Sequence, residues 1–191
     1  CLFHIIPVPY EATVSYGGGT AKGPAAILEA SQQLEVWTGR GTPSKYGIYT
    51  WPEVDCSGSA EEVLDRIERA TAAALTAGPQ EHKNAGERAD DADKPTAARN
   101  GRCAPALPVI LGGEHTVTLG VLRALKARCG RFGVVQFDAH ADLRDSYEGS
   151  PYSHACVMRR AVADLDLPLF QVGVRSLSPE EVPFREEKKI A

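Results

Sequence analysis

The sequence has few of the features that mark several large classes of protein. No apolar run approaches the ~20 residues that a membrane-spanning helix needs. A formal net charge of −4 provides no basic surface for nucleic acid or an anionic membrane. The five cysteines are odd in number and include no C-x-x-C pair, which argues against a disulfide framework or a zinc knuckle. We therefore expect free thiols in a reducing cytoplasm, and neither nucleic acid nor a membrane as partner.

Residues 79–104 differ from the rest of the chain in composition. They are polar, contain almost no large apolar residue and show no periodicity, which predicts a solvated or disordered insertion. The acidic run Asp90, Asp91 and Asp93 lacks the glycine and the distal glutamate of a calcium loop. The remaining residues suffice for one domain with a substantial core.

Strand and helix patterns alternate along that remainder. Apolar, β-branched runs predict strands at 2–8, 47–50, 107–111, 132–137 and 167–174. Apolar residues at helical spacing predict helices that begin near residues 24, 60, 117, 154 and 179. Ser59 and Glu62 form a capping-box pattern, and we expect Thr116 to cap its helix. Such alternation is typical of a three-layer α/β/α fold with a mainly parallel sheet covered on both faces.

Side chains with metal-ligand chemistry follow two of the predicted strands. One strand leads into Gly112-Gly113-Glu114-His115, and the next into Asp138-Ala139-His140-Ala141-Asp142. In open parallel sheets, ligand sites form beyond the carboxyl ends of the strands. Alternate residues of an extended backbone point to the same side, so Asp138, His140 and Asp142 are expected to project together.

This donor set indicates a divalent cation. Carboxylates with imidazole suit manganese, iron or zinc, and a bound cation relieves the repulsion between clustered carboxylates. His115 completes the same cluster if the two strands are neighbours. Either motif alone is as readily a tight turn. Gly112-Gly113 also suggests a phosphate loop, but neither glycine-rich phosphate pattern is present.

Both motifs resemble signature sequences of the arginase/agmatinase family, the ureohydrolases. Residues 8–11, 15–20 and 23–24 resemble the agmatinase-like N-terminal region, and Ser153-His154 resembles a segment that holds a catalytic histidine. Residues 171–176 resemble a later family strand. The resemblance implies a single arginase-like domain over the whole chain apart from the insertion, and a homo-oligomer when the protein is full length.

The resemblance also implies a role for each matching residue. His115 and Asp142 would bind the first Mn²⁺ ion, His140 the second, and Asp138 would bridge the two. His154 would shuttle protons near the guanidinium group of the substrate. The metals would activate a water for attack on the guanidinium carbon, releasing urea and an amine.

The loop after the second motif bears on the choice of substrate. Asp145 and Glu148, offset only by Arg144, would disfavour a carboxylate and tolerate a cationic tail. This favours agmatine over arginine, with putrescine and urea as products, a step of polyamine biosynthesis. It is equally consistent with the sequence that the two acids are solvated loop residues. Arginine, guanidinobutyrate and guanidinopropionate remain alternative substrates.

The third metal motif of the family, S-x-D-x-D, has no match in the 191 residues. Because four of the six implied ligands are present, we predict weak metal binding and little or no hydrolysis by this chain. The start at Cys1 and the helical end also predict a sequence cut at both ends. The alternative hypotheses are a non-catalytic truncated paralogue and, with less support, a deacetylase on the related fold.

Overall fold

Strands and helices alternate along the chain, as a computed structural model shows for residues 2–77 and 106–191. The elements are β1 Phe3–Val8, α1 Gly23–Ser31, β2 Ile48–Thr50, α2 Ala60–Thr76, β3 Leu107–Gly112, α3 Val117–Cys129, β4 Val134–Phe137, α4 Val157–Ala163, β5 Leu169–Val172 and α5 Val182–Glu187. Short 3-10 turns cover Thr20–Lys22, Pro43–Tyr46 and His154–Cys156. The insertion predicted over 79–104, with its acidic run, lies outside the described residues.

All pairs among the five described strands are parallel, which confirms the predicted α/β class. β1 lies between β2 and β3, with Val8 of β1 opposite Gly112 of β3. β4 pairs with β5, starting with Val134 opposite Leu169. Because paired parallel strands end at the same edge, the segment after β1 lies beside the segment after β3.

The predicted capping box begins α2. Ser59 Oγ accepts from the backbone N–H of Glu62, and the Glu62 carboxylate accepts from the backbone N–H of Ser59. The apolar side of the helix is then buried, and its buried apolar residues are Val63, Leu64, Ile67 and Ala74. This side covers the inward side chains of β1, which confirms the helical spacing seen in the sequence.

The predicted capping role of Thr116 is wrong, although α3 begins where expected. The backbone of Thr116 is already helical (φ −50°), and its side chain makes no capping hydrogen bond. Its hydroxyl instead donates to the carboxylate of Glu114, with the two oxygens 2.9 Å apart. A capping residue needs an extended backbone, which the tight turn after Gly113 does not leave to Thr116. Gly130, with φ 72°, ends the helix as predicted.

One face of the β4–β5 sheet is apolar and exposed within the described residues. Phe137 is 78% exposed and Phe170 52%, and Val135 and Val172 lie on the same face. The opposite face is buried. The apolar residues Ile27 in α1 and Leu34 after its end are also exposed. Burial therefore falls short of what the apolar runs predict, because no described residues shield these side chains.

Two further findings concern expectations from composition. No helix in residues 2–77 and 106–191 is both long and apolar enough to cross a bilayer. Cys56, Cys129 and Cys156 are free thiols, as expected.

Helices α2 and α3 pack closely at a glycine, and this contact generates a prediction. A Cβ at Gly120 would lie 2.8 Å from both the Leu64 carbonyl oxygen and the Ile67 Cβ. We expect Gly120→Ala to lower the free energy of unfolding by about 1–3 kcal/mol, because the two backbones must separate. Urea denaturation followed by circular dichroism measures the change.

The matched control is Gly41→Ala, since a Cβ at Gly41 meets nothing within 4 Å. Its free energy of unfolding should stay within about 0.5 kcal/mol of that of the parent chain. Equal midpoints for the two variants would contradict the close helix contact.

Candidate metal centre

The carboxyl ends of β3 and β4 bring the two polar motifs together. Nδ1 of His115 lies 2.8 Å from Oδ2 of Asp142 and 3.7 Å from Oδ2 of Asp138. One ligand atom from each of the three residues lies within 4.8 Å of the other two. An imidazole with two carboxylates is a donor set for a divalent cation such as Mn²⁺, Fe²⁺ or Zn²⁺.

A turn, and not the extended backbone that we expected, brings the second motif to this cluster. β4 ends at Phe137, and the His140 N–H then donates to Oδ1 of Asp138 at 2.9 Å. Asp142 adopts φ 55°, a left-handed conformation that costs a non-glycine residue roughly 1–3 kcal/mol. Asp138 and Asp142 consequently face His115. The His140 side chain is 67% exposed, with Nδ1 3.6 Å from Oδ1 of Asp138.

Two buried glutamines hold Asp142 from the inner face of the sheet. Gln136 Nε2 donates to Oδ2 of Asp142 at 3.1 Å and to the His140 carbonyl at 3.3 Å. Gln171 Nε2 donates to Oε1 of Gln136 at 2.6 Å and to the Ala141 carbonyl at 2.8 Å. Sequence reasoning missed both residues as parts of the site. The available signal was a polar side chain in the middle of each of two apolar strands.

Glu114 fastens the N-terminal loop to the turn after β3. Its carboxylate accepts from the backbone N–H groups of Ala12 and Thr13, at 3.2 and 2.8 Å. It also accepts from the hydroxyls of Thr13 and Thr116, at 2.7 and 2.9 Å. Oγ1 of Thr13 in turn accepts from the His154 N–H at 3.0 Å and lies 3.1 Å from the Nδ1 atom of that residue. Thr13 and Glu114, which sequence reasoning did not assign to the site, thus connect the first motif to His154.

The paired glycines of the first motif allow close backbone contact. A Cβ at Gly113 would lie 2.1 Å from the Tyr10 carbonyl oxygen, which accepts from the Glu114 N–H at 3.0 Å. The earlier glycine-rich loop folds around a carboxylate, because Glu11 accepts from the N–H groups of Gly19 and Ala21. These two hydrogen bonds lower the pKa of Glu11. Both glycine motifs therefore have a role inside the protein that needs no phosphate.

A cleft of about 230 Å³ lies beside the cluster, and its lining includes His140, Asp142, Tyr147, His154 and Glu181. The ring of His154 packs edge-on against that of Tyr147, with centroids 5.8 Å apart. Nε2 of His154 lies 3.4 Å from Oγ of Ser15, another lining residue. The cleft thus has metal-ligand chemistry on one wall and an imidazole on another.

The two loop acids that we considered for substrate binding do not line this cleft. The carboxylate of Asp145 pairs with Arg159 and Arg160 on α4. Glu148 is exposed at a turn with φ 50°. Arg144, which lines the cleft, pairs with Glu180. A substrate contact by either acid stays a prediction from the sequence.

Comparison with known proteins assigns a family to this arrangement. The sequence profile of the arginase family matches residues 2–191. An N(1)-aminopropylagmatine ureohydrolase of Synechocystis sp. is 36% identical over 97% of this chain and 55% of its own length. An agmatinase of Pyrococcus horikoshii is 33% identical over 97% of this chain and 56% of its own.

A solved structure shows the same fold. The agmatine ureohydrolase of Thermoplasma volcanium superposes with a TM-score of 0.75 at 29% identity, covering 100% of this chain and 56% of the other. The chain therefore spans about half the length of the relatives that it matches.

Loss of one carboxylate should weaken metal binding at the cluster. We expect Asp142→Asn to raise the Mn²⁺ dissociation constant at least ~10-fold, because the variant removes an anionic ligand. Isothermal titration calorimetry of the metal-free chain with Mn²⁺ measures the dissociation constant. Asp65→Asn on the exposed side of α2 is the control and should bind as the parent does. Equal affinities in the two variants would place the metal elsewhere.

The buried amide of Gln136 should also affect metal affinity. Gln136→Leu keeps much of the side-chain volume but removes the donor to Asp142, so Mn²⁺ affinity should fall ~10- to 100-fold. Gln33→Leu, at an exposed position, is the matched control. A Gln136→Leu chain that melts cooperatively and binds Mn²⁺ with parental affinity would rule out this role.

Proposed function

Since the chain belongs to the arginase family, we propose that it carries out the manganese-dependent hydrolysis of a linear guanidine to urea and an amine. The convergence of His115, Asp138 and Asp142 beside a cleft that also contains His154 carries the proposal. As the chain spans about half the length of its relatives, the activity of the whole protein is part of what is proposed.

The described donors His115, Asp138 and Asp142 fit one divalent cation, and His140 lies beside Asp138 as a donor to a second. Asp138 directs one oxygen toward each histidine, Oδ2 toward His115 at 3.7 Å and Oδ1 toward His140 at 3.6 Å. This supports Asp138 as the bridging ligand, with His115 and Asp142 on one ion and His140 on the other. Such ions, when bound, supply Lewis-acid activation of water.

His154 is the proposed proton shuttle. Its ring is held between the Thr13 hydroxyl on one side and Ser15 on the other, and it lines the cleft. An imidazole exchanges protons near neutral pH, so it can accept a proton from the reacting water and deliver one to the leaving amine. The ring of Tyr147 also packs edge-on against it.

Agmatine is the proposed substrate, and N(1)-aminopropylagmatine, a larger guanidine named for several relatives, is the nearest competitor. The cleft supports a cationic tail in preference to a carboxylate. Glu181 contributes a carboxylate to its lining apart from the metal ligands, whereas the charge of Arg144 is compensated by Glu180. A homo-oligomeric state and a cytoplasmic location remain predictions from the family resemblance.

A non-catalytic protein is the second candidate. The 191 residues contain four of the six ligands that the resemblance implies. Among them, the second ion would have only His140 and the shared Asp138 as ligands. We therefore propose that this chain alone binds the second ion weakly and hydrolyses guanidines slowly or not at all.

The test is to measure urea release from agmatine by two proteins, one expressed from the complete reading frame and one consisting of the 191-residue chain. We expect Mn²⁺-dependent urea release by the former, with kcat/KM at least ~10-fold higher for agmatine than for arginine. His154→Asn should lower kcat by ~100-fold or more, because proton transfer is lost.

The control is Glu35→Gln, an exposed substitution that should leave the rate unchanged. Absence of urea from the metal-loaded complete protein would favour the non-catalytic candidate. Release of acetate from an acetylated polyamine would favour the deacetylase.

A further inference from the structure

The hydrogen bonds that link Glu114 to His154 through Thr13 fix where the protons of Thr13 and of the His154 ring lie. Each oxygen of the Glu114 carboxylate accepts from two donors: Oε2 from the N–H groups of Ala12 and Thr13, and Oε1 from the hydroxyls of Thr13 and Thr116. A carboxylate only accepts hydrogen bonds. The single hydroxyl proton of Thr13 must therefore point to Glu114, across the 2.7 Å contact.

Oγ1 of Thr13 is then left as an acceptor toward His154. It accepts from the backbone N–H at 3.0 Å, and Nδ1 of the ring lies 3.1 Å away. Two lone pairs facing each other would repel, so this contact requires a proton on Nδ1. The other group near Nδ1 is Ser153 Oγ, at the longer distance of 3.4 Å.

We propose that Glu114, acting through Thr13, holds neutral His154 as the Nδ1–H tautomer and leaves Nε2 as the nitrogen that exchanges protons in the cleft. Nε2 is the atom on the Ser15 side of the ring, 3.4 Å from its hydroxyl oxygen. Glu114 and Thr13 are thus positioning residues. The tautomer assignment stands on the hydrogen bonds alone, and its catalytic meaning rests on the proposed function.

The tautomer decides what His154 can do. With the proton on Nδ1, the lone pair of Nε2 is free to take a proton from a group in the cleft. The opposite tautomer would present an N–H to the cleft and aim its lone pair at Thr13. The buried carboxylate of Glu114, 7% exposed, excludes that arrangement, because a donating Thr13 would leave one of its acceptor sites without a partner.

The substitution Glu114→Gln provides the test, because it should reverse the donor and acceptor roles in the hydrogen bonds from residue 114 through Thr13 to His154. The two backbone N–H groups keep the amide oxygen at the Oε2 position, so the NH₂ group faces the hydroxyls of Thr13 and Thr116. Thr13 then accepts from the glutamine and turns its own proton to Nδ1 of His154. We expect the ring to change from the Nδ1–H to the Nε2–H tautomer.

The ¹⁵N chemical shifts of histidine rings distinguish the tautomers in the metal-free chain, at a pH where the imidazole is neutral. The signals of His154 are those lost in His154→Asn. Thr13→Ser retains the hydroxyl and should keep the Nδ1–H tautomer. Thr13→Val has a similar shape without the hydroxyl and should give a mixture of the two tautomers.

The parent spectrum and the glutamine variant decide the outcome. A parent His154 with the proton mainly on Nε2 would overturn the proposal. So would an Nδ1–H tautomer that persists in Glu114→Gln while the backbone spectrum stays native. If Glu114→Gln does not fold, the contrast between Thr13→Ser and Thr13→Val provides the same test, and identical tautomers in that pair would overturn the proposal.

Kinetics of the complete protein separate this inference from the proposed function. With agmatine and Mn²⁺, Glu114→Gln should lower kcat at least ~10-fold with little change in KM, because proton transfer and not substrate contact is affected. A tautomer change with an unaltered kcat would support the hydrogen-bond assignment and contradict a proton-shuttle role for His154.

Discussion

The buried carboxylate of Glu114 is the interaction on which the site depends. It joins segments that are 101 and 102 residues apart in the chain and orders the loop after β1 against the turn after β3. The parallel register of Val8 and Gly112 brings these segments together, and the missing side chain of Gly113 lets their backbones approach. Glu114 thereby helps to position both histidines. His115 follows it directly in the sequence, and His154 is linked to it through Thr13.

The second motif is assembled by a different balance of forces. Asp138 and Asp142 bring two carboxylates close to one imidazole, and a bound cation would relieve the repulsion between the carboxylates. The left-handed backbone at Asp142 adds a local conformational cost. Gln136 and Gln171, both buried, offset part of it through hydrogen bonds to the carboxylate and to two carbonyls of the turn. The strained backbone of Asp142 and two buried amides thus lie where the metal chemistry is proposed.

The β4–β5 sheet has polar side chains on its buried face and an exposed face that is apolar. Its buried face carries the two glutamines beneath the site, and its other face exposes Phe137 and Phe170. A parallel sheet normally buries both faces. The glutamines are explained by the site above them. The exposed aromatic face is a property of residues 2–77 and 106–191, in a chain that spans about half the length of its relatives.

Local chemistry in the sequence determined the alternation of strands and helices, the parallel α/β class, the capping box at Ser59 and the two motifs whose residues meet beside the cleft. These features depend on residue type and on spacing over a few residues, and both can be read from the sequence. Tertiary structure alone decided that Asp142 turns to His115, that Thr116 faces Glu114, and that α4 neutralises Asp145. Each of these depends on the direction of a hydrogen bond or ion pair between separate segments. Such a direction exists only when packing has fixed both partners, so periodicity and residue type do not contain it.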